Sequence, residues 1–210
     1  MNTTEFIIMR HGLPEQADCL LGRTNPPLTT IGWQQMYRSS AALEYDLIIS
    51  SPRQRCSAFA QQLAQQHQCP CELDDAWQEL DFGDWDGMKI QQLWLQDELG
   101  YPQYWQQPFV YSPPNGESSQ QLLSRMTRAI TTLAVKHTGK RLLIISHAGV
   151  MRMALAWLLN THQQRNPHLS RVELDHAAIL RFNVFIDQDE QQWPQLQALI
   201  PAPPISISRE

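Results

Sequence analysis

A chain of 210 residues, 42% hydrophobic and 18% charged, carries enough apolar material for one domain with a full core, and no apolar stretch approaches the roughly 18 residues of a membrane span. The formal charge of −5 lacks the surplus of Lys and Arg on which sequence-independent nucleic-acid binding rests, so an anionic ligand has to be held by local arginines. The first apolar run starts without the basic segment, long apolar stretch or small-residue cleavage site of a secretory signal, which sets the expectation of a cytoplasmic protein without a membrane partner.

In chain order, residues 5–10 form a first strand that ends at Met9-Arg10-His11-Gly12. A polar stretch with Gly22 and Pro26-Pro27 leads to Leu28-Thr29-Thr30, a start signal for a helix reaching to about Ala42. Residues 45–50 read as a second buried strand. It is followed at once by Ser51-Pro52-Arg53 and by a helical stretch in which Phe59 and Leu63, and Ala60 and Ala64, recur four residues apart. Residues 71–73 make a short third strand. Leu122, Met126, Ile130 and Leu133 mark a helix over 118–137, residues 142–146 a central strand, and residues 148–159 the helix after it. Late strands at 178–186 and 196–200 suit a hairpin at one sheet edge, and the Pro-rich tail 201–210 is expected to be loosely held. Strands alternating with helices indicate a parallel-rich sheet covered on both faces.

The segment from Trp77 to Tyr111 has a different character, holding half of all the aromatic residues in the chain. One helix, about Met88 to Leu99, fits inside it, flanked by Gly100, Pro102 and Pro108. The segment, taken to about residue 117, reads as an insertion packed over the carboxyl edge of the sheet within a single domain spanning 1–210. Its rings either form a small core of their own or line a pocket, with Trp85, Tyr101 and Trp105 as the first pocket candidates.

The four cysteines (Cys19, Cys56, Cys69, Cys71) lack framework spacing. Cys69-Pro70-Cys71 is not the C-x₂-C of common zinc sites, even with His67 nearby, and the four read as reduced structural thiols. No metal or cofactor is assigned.

His11 and His147 each follow a buried strand, the second in Ser146-His147-Ala148-Gly149. Ligands of open α/β sheets bind at the carboxyl ends of strands, so two histidines from remote parts of the chain converge on one crevice there. A buried structural His is the alternative for either one alone.

Five motifs in order, Met9-Arg10-His11-Gly12, Ser50-Ser51-Pro52-Arg53, the run from Glu79 to Gly87, Pro114-Asn115-Gly116-Glu117-Ser118 and Ser146-His147-Ala148-Gly149, resemble the histidine phosphatase superfamily over nearly the whole chain. The resemblance implies a three-layer α/β/α sandwich of the phosphoglycerate-mutase type, with a mostly parallel central sheet, and hydrolysis of small-molecule phosphomonoesters through a phosphohistidine without metal. His11 is then the nucleophile, Glu79 the acid for the leaving oxygen, and His147 a donor to a phosphoryl oxygen. Asp81, Asp84 and Asp86 are competitors for the acid role.

The chemistry asks for the same residue types. A phosphomonoester repels a nucleophile unless cations neutralise its oxygens, and Arg10 and Arg53 are the expected cations. A guanidinium fork matches phosphate bidentately, each charge-assisted bond contributing roughly 1.5–3 kcal/mol. Gly22 matches a glycine whose backbone approaches the phosphate. Arg23 beside it adds a third cation at the rim, or is a solvated loop residue. Ser118 reads best as a helix N-cap. The stretch after His11 places Pro14 and Ala17 where the family carries polar phosphate contacts; Arg23, Gln16 or a loop amide is left to substitute.

Between Glu79 and Gly116 there is no Arg, only Lys89, which disfavours the mutase activity of some family members. The short insertion looks like the family's phosphatases, among them those that remove the 5′-phosphate of alpha-ribazole in cobalamin assembly. Aromatic stacking on a flat base contributes about 1–3 kcal/mol, which suits that ligand. A broad phosphatase of sugar phosphates or nucleotides and a catalytically silent binding module are the alternatives.

Overall fold

The computed structural model describes residues 2–96, 100–161 and 171–204. Six strands form one sheet in the order β3-β2-β4-β1-β5-β6. They are β1 (Thr3–Arg10), β2 (Leu47–Ser50), β3 (Cys71–Leu73), β4 (Arg141–Ser146), β5 (Ile179–Ile186) and β6 (Gln192–Ile200). β1, β2, β3 and β4 run parallel, while β5 lies antiparallel to β1 and β6 antiparallel to β5. Pro194 falls on the outermost strand, where a missing ladder donor is tolerated.

Alternation along the strands builds the two covering layers. Phe6 and Ile8 of β1 and Leu142 and Ile144 of β4 point to one face, where α5 (Ser119–Lys136) and α6 (Ala148–Leu158) bring Leu122, Met126, Ile130, Val150 and Met151. Ile7, Met9, Leu143 and Ile145 point to the other, against Met36 of α1 (Thr30–Ser40) and Phe59 and Leu63 of α2 (Gln54–His67). Both faces are therefore apolar, as a buried parallel sheet requires. The expected three-layer sandwich is the observed one. Phe6 and Phe182 are register partners on β1 and β5 and stack with centroids 4.9 Å apart, each burial stabilising by about 1.5–3 kcal/mol.

Two of the helices start where capping chemistry places them. Thr29 caps α1 by accepting from Gly32 N, and Ser118 and Gln121 form a reciprocal capping box at the start of α5. The expected helix over 88–99 is shorter, α3 (Ile90–Leu95), and residues 97–99 of that expectation lie outside the described residues. A second short helix, α4 (Tyr101–Gln106), follows where only a proline-containing flank was expected. β6 begins four residues before the expected position 196, and 205–210 of the expected tail are outside the described residues. Trp77, Trp85, Tyr101 and Tyr104 join the same apolar cluster as α5 and α6, so the insertion extends the main core instead of making its own. Among the described residues no helix is long and apolar enough to cross a membrane.

Candidate active site

Three parallel strands deliver their carboxyl ends to one spot. His11 N donates to Ser146 O at 2.9 Å and Ser51 N to Ile145 O at 3.0 Å, so the segments after β1, β2 and β4 are pinned side by side. The rings of His11 and His147 meet edge-on, with centroids 5.2 Å apart.

His11 is 5% exposed, and its Nδ1 lies 2.8 Å from the carbonyl of Gly12. A carbonyl only accepts, so Nδ1 carries the hydrogen and the Nε2 lone pair is left bare. Burial, then the charges of Arg55 and Arg10, hold this imidazole well below the usual His range. His11 is thus a neutral base with a defined tautomer.

Arg10 is clasped from the loop preceding β5. Its Nη1 donates to Leu174 O at 2.5 Å and its Nη2 lies 3.1 Å from His176 Nε2, while the backbone pairs Arg10 N with Ala178 O and Ala177 N with His11 O. Burial lowers the Arg10 pKa to about 10, which leaves it cationic at neutral pH.

The second guanidinium beside the histidines belongs to Arg55. Fully buried, it donates to Thr24 O at 3.0 Å and Leu21 O at 2.5 Å, and its Nη2 faces His147 Nδ1 at 3.3 Å. His147 Nε2 therefore carries the hydrogen and donates to Ser51 Oγ at 2.8 Å. Both ring nitrogens of His147 are engaged, and burial, Arg55 and His11 keep it neutral. Arg53, the cation expected from the sequence, is placed elsewhere: its Nη1 donates to Arg23 O, and it lines a neighbouring polar cavity with Gly22, Arg23 and Asp81. Arg55 stands four and eight residues before Phe59 and Leu63, so a charge on the buried stripe of α2 was the signal that could have found it.

Glu79 lines both cavities. Its Oε2 accepts from Gly149 N at 3.1 Å at the start of α6, and its Oε1 from Leu80 N at 3.0 Å. This approach needs a glycine, because a Cβ at position 149 would fall 2.1 Å from Glu79 Oε1. Glu117 grips Arg125 through both oxygens, and Arg125 Nη2 donates to Glu79 O at 3.1 Å, which anchors the backbone of Glu79. The competing carboxylates are committed elsewhere. Asp81 pairs with Arg23, Asp84 accepts from Asn115, and Asp86 accepts from the backbone amides of Gly22, Arg23 and Thr24 and from the Thr24 hydroxyl. The Gly22 amide thus serves Asp86, and the absence of a side chain there admits Leu80 O, which a Cβ would meet at 2.5 Å.

Arg10, His11 and Glu79 open into a cavity of about 230 Å³ whose walls are mostly apolar, among them Leu20, Phe82, Ile90, Leu122 and Met153. Tyr101 and Trp105 line it, as does Tyr104, which the sequence did not single out. Trp85 is 2% exposed and supports Tyr101 and Tyr104 edge-on from behind, at centroid distances of 5.4 and 5.8 Å. Arg152 of α6 enters the same cavity with its guanidinium carbon 5.4 Å from the Trp105 ring centroid, a cation–π distance. It lies three residues after Gly149 on the face of α6 that meets Glu79, a spacing that the sequence does display.

Residues 6–193 match the histidine phosphatase superfamily, branch 1. The chain is 29% identical over 182 residues to a bifunctional protein of Mycobacterium tuberculosis, an alignment covering 84% of this chain and 49% of that protein, so the chain spans about half the length of that relative. It is 28% identical over 160 residues to the adenosylcobalamin/alpha-ribazole phosphatase of Escherichia coli, covering 72% of this chain and 77% of the other. Its fold superimposes on a mycobacterial glucosyl-3-phosphoglycerate phosphatase with a TM-score of 0.81 at 18% identity, over 95% of this chain and 99% of that one.

Proposed function

The chain belongs to branch 1 of the histidine phosphatase superfamily, and on that premise we propose that it hydrolyses phosphomonoesters through a phosphoryl group carried on His11. The observation that carries this reading is the His11 tautomer: Nδ1 is tied to Gly12 O, which leaves Nε2 as the bare nitrogen of a ring that lines a cavity with Arg10 and Glu79. Nε2 attacks phosphorus, the P–O bond to the leaving group breaks, and Glu79 gives its proton to the departing oxygen. Glu79 then takes a proton from the water that attacks the phosphohistidine, releasing phosphate and restoring Nε2. Arg10 and Arg55 hold positive charge where the equatorial oxygens gather negative charge, and His147 fixes Arg55.

The substrate we favour is alpha-ribazole 5′-phosphate, whose flat benzimidazole suits an apolar cavity edged by Tyr101 and Trp105. The likeness to a relative that bears that activity supports it. Arg152 favours a second reading, a sugar phosphate with an acidic leaving group, because it supplies from α6 the cation that the insertion lacks.

Quenching turnover of labelled phosphomonoester under alkaline conditions should trap an acid-labile, base-stable adduct on His11, absent in His11→Ala. Turnover retained by His11→Ala would refute the covalent route.

A further inference from the structure

His176 is a third histidine at the site and has no part in the steps above. Its ring lies 5.7 Å from that of His11, centroid to centroid, and it lines the same cavity. Its Nε2 stands 3.1 Å from Arg10 Nη2. A guanidinium has only donors, so this contact is a hydrogen bond only when His176 Nε2 is bare and its hydrogen sits on Nδ1. Together with Leu174 O, His176 occupies one donor on each terminal nitrogen of Arg10 and so fixes the plane of the fork. Arg10 Nε is buried and finds no acceptor among the described residues, and each terminal nitrogen keeps a second N–H beyond those two contacts.

We propose that His176 is a positioning residue for phosphoryl transfer, acting through Arg10: it accepts from Nη2 and holds the guanidinium in the orientation that a trigonal phosphoryl group needs. This rests on the proposed hydrolysis at His11. The groups that face His176 are Arg10 and His11 from the end of β1; Glu79 and Arg152 share the cavity, and the charge of Asp175 on the same loop bears on Arg10. Burial and the Arg10 charge bring its pKa down to about 3, so the acceptor stays available throughout the neutral range. Protonation would turn the acceptor into a donor facing a cation and break the clasp.

The test is a double-mutant cycle read by kcat, KM and the affinity for orthovanadate, which mimics the trigonal transition state. His176→Ala should lower kcat and vanadate affinity together by about 10- to 100-fold, since small misplacements near a reacting centre cost rates of that order, and should weaken inorganic phosphate less. In an Arg10→Ala background the same substitution should add less than about 2-fold, because the residue acts only through Arg10. His176→Asn, whose amide oxygen can accept from Nη2, should recover most of the loss. An equal loss in both backgrounds, or Asn no better than Ala, would overturn the proposal. The ¹⁵N spectrum of the wild-type imidazoles adds a readout that needs no variant and no turnover. An unprotonated Nε2 on His176 at pH 7 is required, and a protonated one refutes the clasp. Absence of any phosphomonoester hydrolysis by the wild-type protein would refute the proposed function, while the ¹⁵N result still decides the clasp.

Discussion

Arg55 on α2 lies 3.3 Å from His147 Nδ1, across 92 positions of sequence. Arg53, two residues earlier, donates instead to Arg23 O outside the histidine pair. Arg55→Ala should lower kcat/KM for p-nitrophenyl phosphate by about 100- to 1000-fold, the loss typical of removing one preorganised donor to a transition-state oxyanion. Arg55→Lys should not recover it, because a point charge cannot hold Thr24 O, Leu21 O and His147 at once. Arg53→Ala should cost under about 10-fold, and the reverse ranking would return the phosphate role to Arg53.

Stability should fall with acid well before the carboxylates titrate. His11 and His147 are held well below the usual His range, and His176 near 3, all chiefly by burial. These groups stay neutral when folded and bind protons when unfolded below about pH 6.5, so their contribution is complete above that pH and is lost as the pH drops toward their folded values. Each removes at most about 1.4 kcal/mol per pH unit. Melting temperature should therefore decline from pH 6.5 to 4.5, with a shallower slope in His176→Asn. A flat profile over that interval would contradict the three neutral rings.

Glu79→Gln should slow phosphorylation of His11 far more for an alkyl ester than for p-nitrophenyl phosphate, whose leaving group needs little protonation. Gly149→Ala should show the same leaving-group dependence, because the added Cβ falls on Glu79 Oε1. Equal losses for both esters in single-turnover measurements would move the acid role to another group.

The aromatic rings divide into wall and support. Trp105→Ala should lower kcat/KM for alpha-ribazole 5′-phosphate by about 10-fold while sparing glycerol phosphate, since stacking acts on the remote part of the substrate; Tyr101→Ala should add a loss of stability, because that ring lines the cavity but belongs to the main core. Trp85→Ala should harm both substrates and cost about 3–5 kcal/mol in a denaturant melt, because its ring is buried behind them. No preference of the wild-type enzyme for the flat substrate would favour the sugar-phosphate reading.

How far the sequence alone reached depended on whether the signal was local. The apolar runs of β1 and β4 announce themselves because a strand buried on both faces has no polar alternation to blur it. The helix α4 was hidden by Pro102, read as a breaker although proline suits the first turn of a helix. His176 was hidden by topology: β5 runs antiparallel to β1, so the loop before β5 reaches the carboxyl edge of the parallel strands, and no residue near Ile179 states that direction. Arg55 was legible in principle from the stripe it shares with Phe59, but Ser51-Pro52-Arg53 drew attention to Arg53, which does not lie beside the histidine pair.

The Asp86 carboxylate draws three consecutive amides, those of Gly22, Arg23 and Thr24, onto itself. Successive backbone N–H groups of this kind are a ready receptor for an anion, and here the chain fills the receptor with its own side chain. On the proposed route, a phosphate ion leaving His11 would meet the amides of that loop already engaged. Retention of product on that route would rest on Arg10 and the groups around it, and inhibition by accumulated phosphate would report on that centre and not on this loop.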